Sequence, residues 1–151
     1  MSVTIDHQLA ELSKYPLHRE SVLRWLRDTW SDEDDPFSST LEPDPSRPGA
    51  LIALSAAEPL GVLSFKRFRA ASQTEPTLWI NALFVAPKCR RQGIGRRLIQ
   101  FAMDHAAERF TEELFVYSHI PRMYEALGWR RLSYSAEHNS HTLVWGSSGR
   151  A

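Results

Sequence analysis

The chain has 151 residues, and its 18 basic and 18 acidic side chains leave a formal net charge of zero. With 42% hydrophobic and 24% charged residues it has the make-up of one ordinary globular domain, residues 1–151, a length that buries roughly 70% of the unfolded surface. Zero net charge argues against bulk attraction to nucleic acid or to an anionic membrane and leaves room only for a local anion site; the single cysteine, Cys89, has no intrachain disulfide partner, and no Cys/His cluster has metal-site spacing.

The N-terminal stretch MSVTIDHQLAELSKYP lacks the apolar core of a signal peptide. No apolar run approaches the ~20 residues that span a bilayer, so the expected location is cytoplasmic. From Leu17 to Trp30, Val22, Leu23, Trp25, Leu26 and Trp30 recur at three-and-four spacing and predict a helix. Residues 31–48 hold Pro36, Pro43, Pro45 and Pro48 and predict a loop with room for one short helical turn. Two β-prone runs, 50–57 and 60–68, flank Glu58 and Pro59 and predict a hairpin turning there.

After a second loop, 70–76, the nearly continuous apolar run Leu78 to Val85 predicts a central strand covered on both faces, ended by Pro87. Ile94, Leu98, Phe101, Ala102 and Ala106 predict a helix from 94 to about 109. Residues 114–117 form another short buried strand. Pro121 and Gly128 bracket a short helix, because proline suits a first turn and glycine a left-handed C-terminal cap. Residues 131–135 and 142–145 predict a closing hairpin, whose last strand is also free in this reading to pair between subunits, so both a monomer and a homodimer are open. The succession is an α/β domain with a mixed sheet.

The stretch from Lys88 to Arg97 carries five positive charges and no acid, between a buried strand and a helix. Gly93 and Gly95 allow close approach of a ligand to the backbone, and free N–H groups at the helix start suit phosphate oxygens. A solvated basic turn is the plainer alternative. A nucleotide P-loop is absent, and Leu98 stands where a dinucleotide fingerprint needs its third glycine.

Arg90-x-x-Gly93-x-Gly95, behind a strand ending Val85-x-Pro87 and ahead of a helix, resembles the acyl-CoA pyrophosphate motif of the GNAT superfamily of N-acyltransferases. Met123-Tyr124-Glu125-Ala126-Leu127-Gly128-Trp129 is similar to that family's tyrosine-bearing helix and its Gly-aromatic turn. The resemblance covers residues 50–145 and extends to about residue 17. It implies a mostly antiparallel central sheet flanked by helices, with the fourth and fifth strands parallel and splayed around the pantetheine arm of acetyl-CoA. Main-chain groups of Leu83, Phe84 and Val85 then pair with that arm, and Arg90, Arg91, Gly93, Ile94, Gly95 and Arg96 surround the diphosphate. Tyr124 becomes the acid that protonates the departing thiolate, where the residues alone also allow a core tyrosine.

Two positions depart from the family pattern. Ser118-His119-Ile120-Pro121 replaces a segment in which many members carry asparagine, and Trp79 and Asn81 stand where some members place an acidic base. Glu75 and His119 are nearby titratable residues that read as ordinary exposed side chains. Seven acids and no base lie between Asp28 and Asp44: Asp28, Asp32, Glu33, Asp34, Asp35, Glu42 and Asp44. They form either a solvated loop or, as the family's layout implies, a border that draws a cationic amine acceptor. Trp25, Trp30 and Phe37 are core residues or acceptor contacts.

The resemblance implies an acetyl-CoA-dependent N-acetyltransferase acting on a primary amine by direct attack in a ternary complex, with no metal. A non-catalytic acyl-CoA-binding or sensing module on the same fold is the alternative. A nucleotide-dependent regulator ranks behind both because it leaves Tyr124 and Gly128 unexplained.

Overall fold

A computed structural model describes residues 7–30, 37–110 and 112–146. Four consecutive acids of the acidic stretch, Asp32, Glu33, Asp34 and Asp35, lie outside the described residues. Pro16 opens a 3-10 turn that runs into helix α1, Arg19–Thr29, whose Val22, Leu23 and Leu26 are buried. The loop that follows contains a single helical turn, α2, Ser38–Leu41. Arg47 straps this loop together by donating from Nη2 to the Ser39 carbonyl (2.5 Å) and from Nη1 to the Glu42 carbonyl (2.7 Å).

Seven strands form one sheet: β1 (Gln8–Glu11), β2 (Leu51–Ser55), β3 (Glu58–Phe68), β4 (Thr77–Val85), β5 (Leu114–Ser118), β6 (Arg130–Ser135) and β7 (Ser140–Trp145). Their order is β1-β2-β3-β4-β5-β7-β6, antiparallel throughout except for the parallel pair β4 and β5. Helix α3, Ile94–His105, continued by a π turn over Ala106–Phe110, and helix α4, Pro121–Glu125, complete the fold. One core lies between the sheet and α3, built on Leu63, Phe65, Leu78, Leu98, Ile99 and Leu114. A second lies on the opposite face under α1 and α2, around Val22, Leu26, Leu41, Ile52 and Val62.

Three expectations change. Strand β1 has no signal of its own in the sequence; it is a four-residue edge strand that forms by pairing Gln8–Glu11 with the apolar β2. The β2–β3 hairpin turns at Ala56 and Ala57, with Ser55 paired to Glu58, so Glu58 and Pro59 belong to β3. Pro59 is tolerated there because pairing of β3 with β4 begins only at Gly61, so its missing N–H removes no bond from that ladder. Both alanines take the left-handed conformation, φ 49° and 65°, as a two-residue primed turn demands. Finally, β7 is not available for pairing between subunits, because it lies inside the sheet with β5 on one edge and β6 on the other.

Candidate active site

The site begins with a bulge. Ser64 of β3 pairs with Ala82 and Phe65 with Ile80, so Asn81 is the extra residue of β4. The insertion switches the strand's faces: Leu78 and Ile80 pack toward α3 before it, and Leu83 and Val85 after it. A bulge also bends its strand. β4 and β5 pair only at Leu78–Leu114 and Trp79–Phe115, immediately before the bulge, and then diverge. Each is held from outside, β4 by β3 and β5 by β7 over its whole length. Their facing edges therefore offer main-chain groups to a ligand that lies between them like an added strand.

The divergence opens two adjoining cavities. One, of about 480 Å³, is lined by Leu83, Phe84 and Val85 of β4 and by Arg90, Arg91, Gly93, Ile94, Gly95 and Arg96. All nine residues expected around an acyl-CoA thus face one space. The other, of about 610 Å³, is lined by Asn81, Ala82, His119 and Tyr124 among others. Trp30, Leu83 and Ile120 border both cavities, so the two form one groove.

At the basic end, Gly93 is the N-cap of α3 with φ 80°, and no side chain caps the helix. The first helical bond runs from the Arg97 N–H to the Gly93 carbonyl at 3.0 Å, so the amides of Ile94, Gly95 and Arg96 have no acceptor within the helix. These amides and the helix dipole favour an anion. A Cβ on Gly93 meets nothing within 4 Å, and one on Gly95 points at Val85 and Leu83, which line the groove. Arg90 also braces the strand behind it, since its Nε donates to the Val85 carbonyl at 2.9 Å and its guanidinium lies 5.6 Å from the Phe84 ring centre. Lys88 pairs with Glu58 at 3.0 Å and does not line the groove, and neither does Arg97.

At the other end, α4 presents Tyr124. Gly128, φ 97°, ends this helix and lets the chain fold back so that the Trp129 N–H reaches the Tyr124 carbonyl at 3.1 Å. Trp129 packs edge-on against the Tyr124 ring, 5.1 Å between centres, and its Nε1 contacts Met103 Sδ at 3.3 Å. Tyr124 is only 3% exposed, and burial pushes its phenol well above the ordinary tyrosine range. The hydroxyl is therefore protonated at neutral pH.

Both His119 and Glu75 are exposed, as expected, but His119 lines the same cavity, whereas Glu75 borders neither. The imidazole Nδ1 lies 2.8 Å from the Asn139 carbonyl and 2.9 Å from Ser140 Oγ. A carbonyl only accepts, and Ser140 Oγ donates to the His138 carbonyl (3.1 Å), so the neutral ring carries its proton on Nδ1 and keeps a lone pair on Nε2. Residue identity alone does not single out this histidine; its position one residue past β5 is the signal available in the sequence.

Of the aromatic residues near the acidic stretch, Trp30 borders the groove, Trp25 packs on Phe84 at 5.1 Å between ring centres, and Phe37 is buried. Glu42 pairs with Arg19, and the Asp44 carboxylate accepts from the Ser46 amide and hydroxyl, which hold its pKa below the usual range. Among the described residues no group of acidic, histidine or cysteine side chains is arranged to hold a metal, and no helix is long and apolar enough to cross a membrane.

No curated protein sequence matches the chain. Its fold is that of several solved acetyltransferases. An aminoglycoside 6'-N-acetyltransferase complexed with coenzyme A superposes with a TM-score of 0.72 at 15% identity, over 91% of this chain and 96% of that one. Arabidopsis thaliana Naa50, in complex with a bisubstrate analogue CoA-Ac-MVNAL, gives 0.68 at 13% identity, over 93% and 99%. The aminoglycoside 6'-N-acetyltransferase from Enterococcus faecium gives 0.68 at 16% identity, over 91% and 96%. The sequence pattern of the Acetyltransferase (GNAT) family matches residues 19–129, and with the splayed parallel strands and the glycine turn at the head of α3 this shows that the chain belongs to that family.

Proposed function

We propose that the protein transfers the acetyl group of acetyl-CoA to a primary amine by direct attack while both substrates are bound. The observation that carries this reading is the continuity of the groove: the anion-binding turn at Gly93 stands at one end, and Tyr124 and His119 line the other. The residues present fit a CoA thioester. The free amides at the start of α3 and the arginines take the diphosphate, the open edges of β4 and β5 take the amide-bearing arm, and the side-chain-free faces of Gly93 and Gly95 leave the approach clear.

Bound acetyl-CoA supplies an activated acyl carbon. The chain supplies the proton handling. His119, with its lone pair on Nε2, takes the proton that the amine sheds as it attacks, and Tyr124 gives its proton to the departing sulfur. A phenol is protonated at neutral pH, and a thiolate of pKa ~8.5 needs only modest help to leave, so donation from Tyr124 is needed only as charge develops on sulfur. The sole cysteine, Cys89, is buried against the basic end and does not line the Tyr124 cavity, which favours direct attack over an acyl-enzyme.

The test is to supply acetyl-CoA with a panel of primary amines and to follow both free thiol and the mass of the acetylated product. Transfer to any member supports the reading. Tight binding of acetyl-CoA without transfer to any amine would instead make the protein an acyl-CoA-binding module. His119→Ala should lower kcat/KM for the amine on the order of 10²-fold and leave the acetyl-CoA dissociation constant unchanged.

A further inference from the structure

The groove does not stop at Tyr124. Beyond the bulge lies a further cavity of about 570 Å³, lined by Lys66, Phe68, Trp79, Tyr117 and Thr142 among others, which shares Ile80, Asn81, Tyr117 and His138 with the Tyr124 cavity. It shares no lining residue with the cavity at the basic turn and so lies at the far end of the groove.

Its walls have a definite chemistry. Lys66 and Phe68 are two apart on β3 and share a face, and Lys66 is the cross-strand partner of Trp79. Phe68 and Trp79 meet edge to face with ring centres 5.6 Å apart, and Tyr117 stands across the gap on β5, in edge contact with His138. Such surfaces suit a flat or apolar body. Aromatic walls can also attract a cation, but here a cation is already in place: Lys66 Nζ lies 4.7 Å from the centre of the Phe68 ring. Among the described residues no carboxylate pairs with Lys66, and neither cavity has an aspartate or glutamate in its described walls. The bulged Asn81 borders both cavities, and its Nδ2 is buried without an acceptor. A buried donor lacking a partner is costly, and an oxygen of a ligand in this cavity would supply one.

We infer that the acceptor is a primary amine on an aromatic or apolar body that carries a carboxylate, or a like anionic group, away from the reacting nitrogen. The amine lies at the Tyr124 and His119 end, the body lies against Phe68, Trp79 and Tyr117, and Lys66 meets the anionic end. Asn81 Nδ2 donates to an oxygen of the same molecule. This selects against a second positive charge, the preference that the acidic stretch suggests: of its three described members, Asp28, Glu42 and Asp44, the last two are engaged elsewhere in the fold and none lines this cavity.

The inference rests on the acetyl-transfer reading in taking this space as the amine's place, and one matched series separates the two. The probes are 4-(2-aminoethyl)benzoate, 2-phenylethylamine and 4-(2-aminoethyl)benzylamine, of similar size but anionic, neutral and cationic at the far end. In the wild type kcat/KM should fall in that order, by about three- to five-fold at each step, as expected for a partly exposed charge contact. Lys66→Gln should level the first two while leaving the acetyl-CoA KM unchanged. A preference for the benzylamine, or a ranking that Lys66→Gln does not alter, would overturn the inference. Dissociation constants of the three amines measured by calorimetry on CoA-saturated protein give a readout independent of chemistry. The same ranking without turnover would uphold the cavity's selectivity and overturn acetyl transfer, whereas turnover of other amines without the ranking would do the reverse.

Discussion

Arg90 Nε donates to the carbonyl of Val85 across 2.9 Å, so the first arginine of the glycine turn is fastened to the last residue of β4. One side chain thereby sets the distance between the strand edge that would carry the pantetheine arm and the turn that would carry the diphosphate. Its planar guanidinium also lies near the Phe84 ring, whose other neighbour is Trp25 of α1.

Arg90→Lys keeps the charge and removes both the Nε bond and the flat surface. The expected result is a rise in the CoA dissociation constant of about ten-fold, the scale of one charge-assisted hydrogen bond with its positioning effect. Circular dichroism should be unchanged. Wild-type CoA affinity in this variant would show that Arg90 merely fills surface.

Gly93 separates backbone strain from ligand blockage. At φ 80° any side chain is strained, yet a Cβ there meets nothing. Gly93→Ala should therefore cost about 1–2 kcal/mol of stability and preserve the rise in melting temperature that CoA produces by binding the folded state. Gly93→Glu should show a similar loss and, because its carboxylate enters the anion site, no rise with CoA. Equal CoA shifts in the two variants would mean that the diphosphate lies elsewhere.

The β2–β3 turn offers a prediction about stability alone. Ala56 and Ala57 occupy left-handed positions that Asn-Gly fills without penalty. The double change Ala56→Asn and Ala57→Gly should stabilise the fold by about 1–2 kcal/mol, read as a higher denaturant midpoint with an unchanged slope. Acetyl transfer should be unaffected, since neither residue borders the groove.

This turn also illustrates what the sequence does and does not disclose. Pro59 is the stronger local turn signal, but the register of β2 against β3 decides, and it places the turn two residues earlier. The same holds for β4. Its apolar run predicts a central strand, and the strand forms, but the nearly continuous hydrophobicity of LWINALFV, apolar on both sides of Asn81, does not disclose the change of face there. That bulge opens the groove, and it depends on pairing with β3, which no single strand's sequence records. The glycine turn and the Tyr124 helix are legible because proline and glycine act locally. His119 is not, because its tautomer depends on Asn139 and Ser140, twenty and twenty-one residues away.

Tyr124 gives the sharpest test of the chemistry. Its hydroxyl is needed only as charge develops on sulfur, so Tyr124→Phe should lower kcat on the order of 10²-fold and barely change the CoA dissociation constant. The pH dependence has a definite sign. Burial holds the folded-state pKa above the unfolded value of ~10, so the folded state keeps this proton where the unfolded chain has lost it. Below the unfolded pKa the residue contributes no pH dependence to stability; as pH rises through and beyond it, unfolding is increasingly favoured. The wild type should therefore lose melting temperature above pH ~10 more steeply than Tyr124→Phe, the chain's three other tyrosines being common to both. Ionisation of Tyr124 should also leave kcat undiminished up to that pH. A fall in wild-type kcat near pH 8 that is absent in Tyr124→Phe would place the phenol pKa far below what its burial dictates and would remove it from the role of acid.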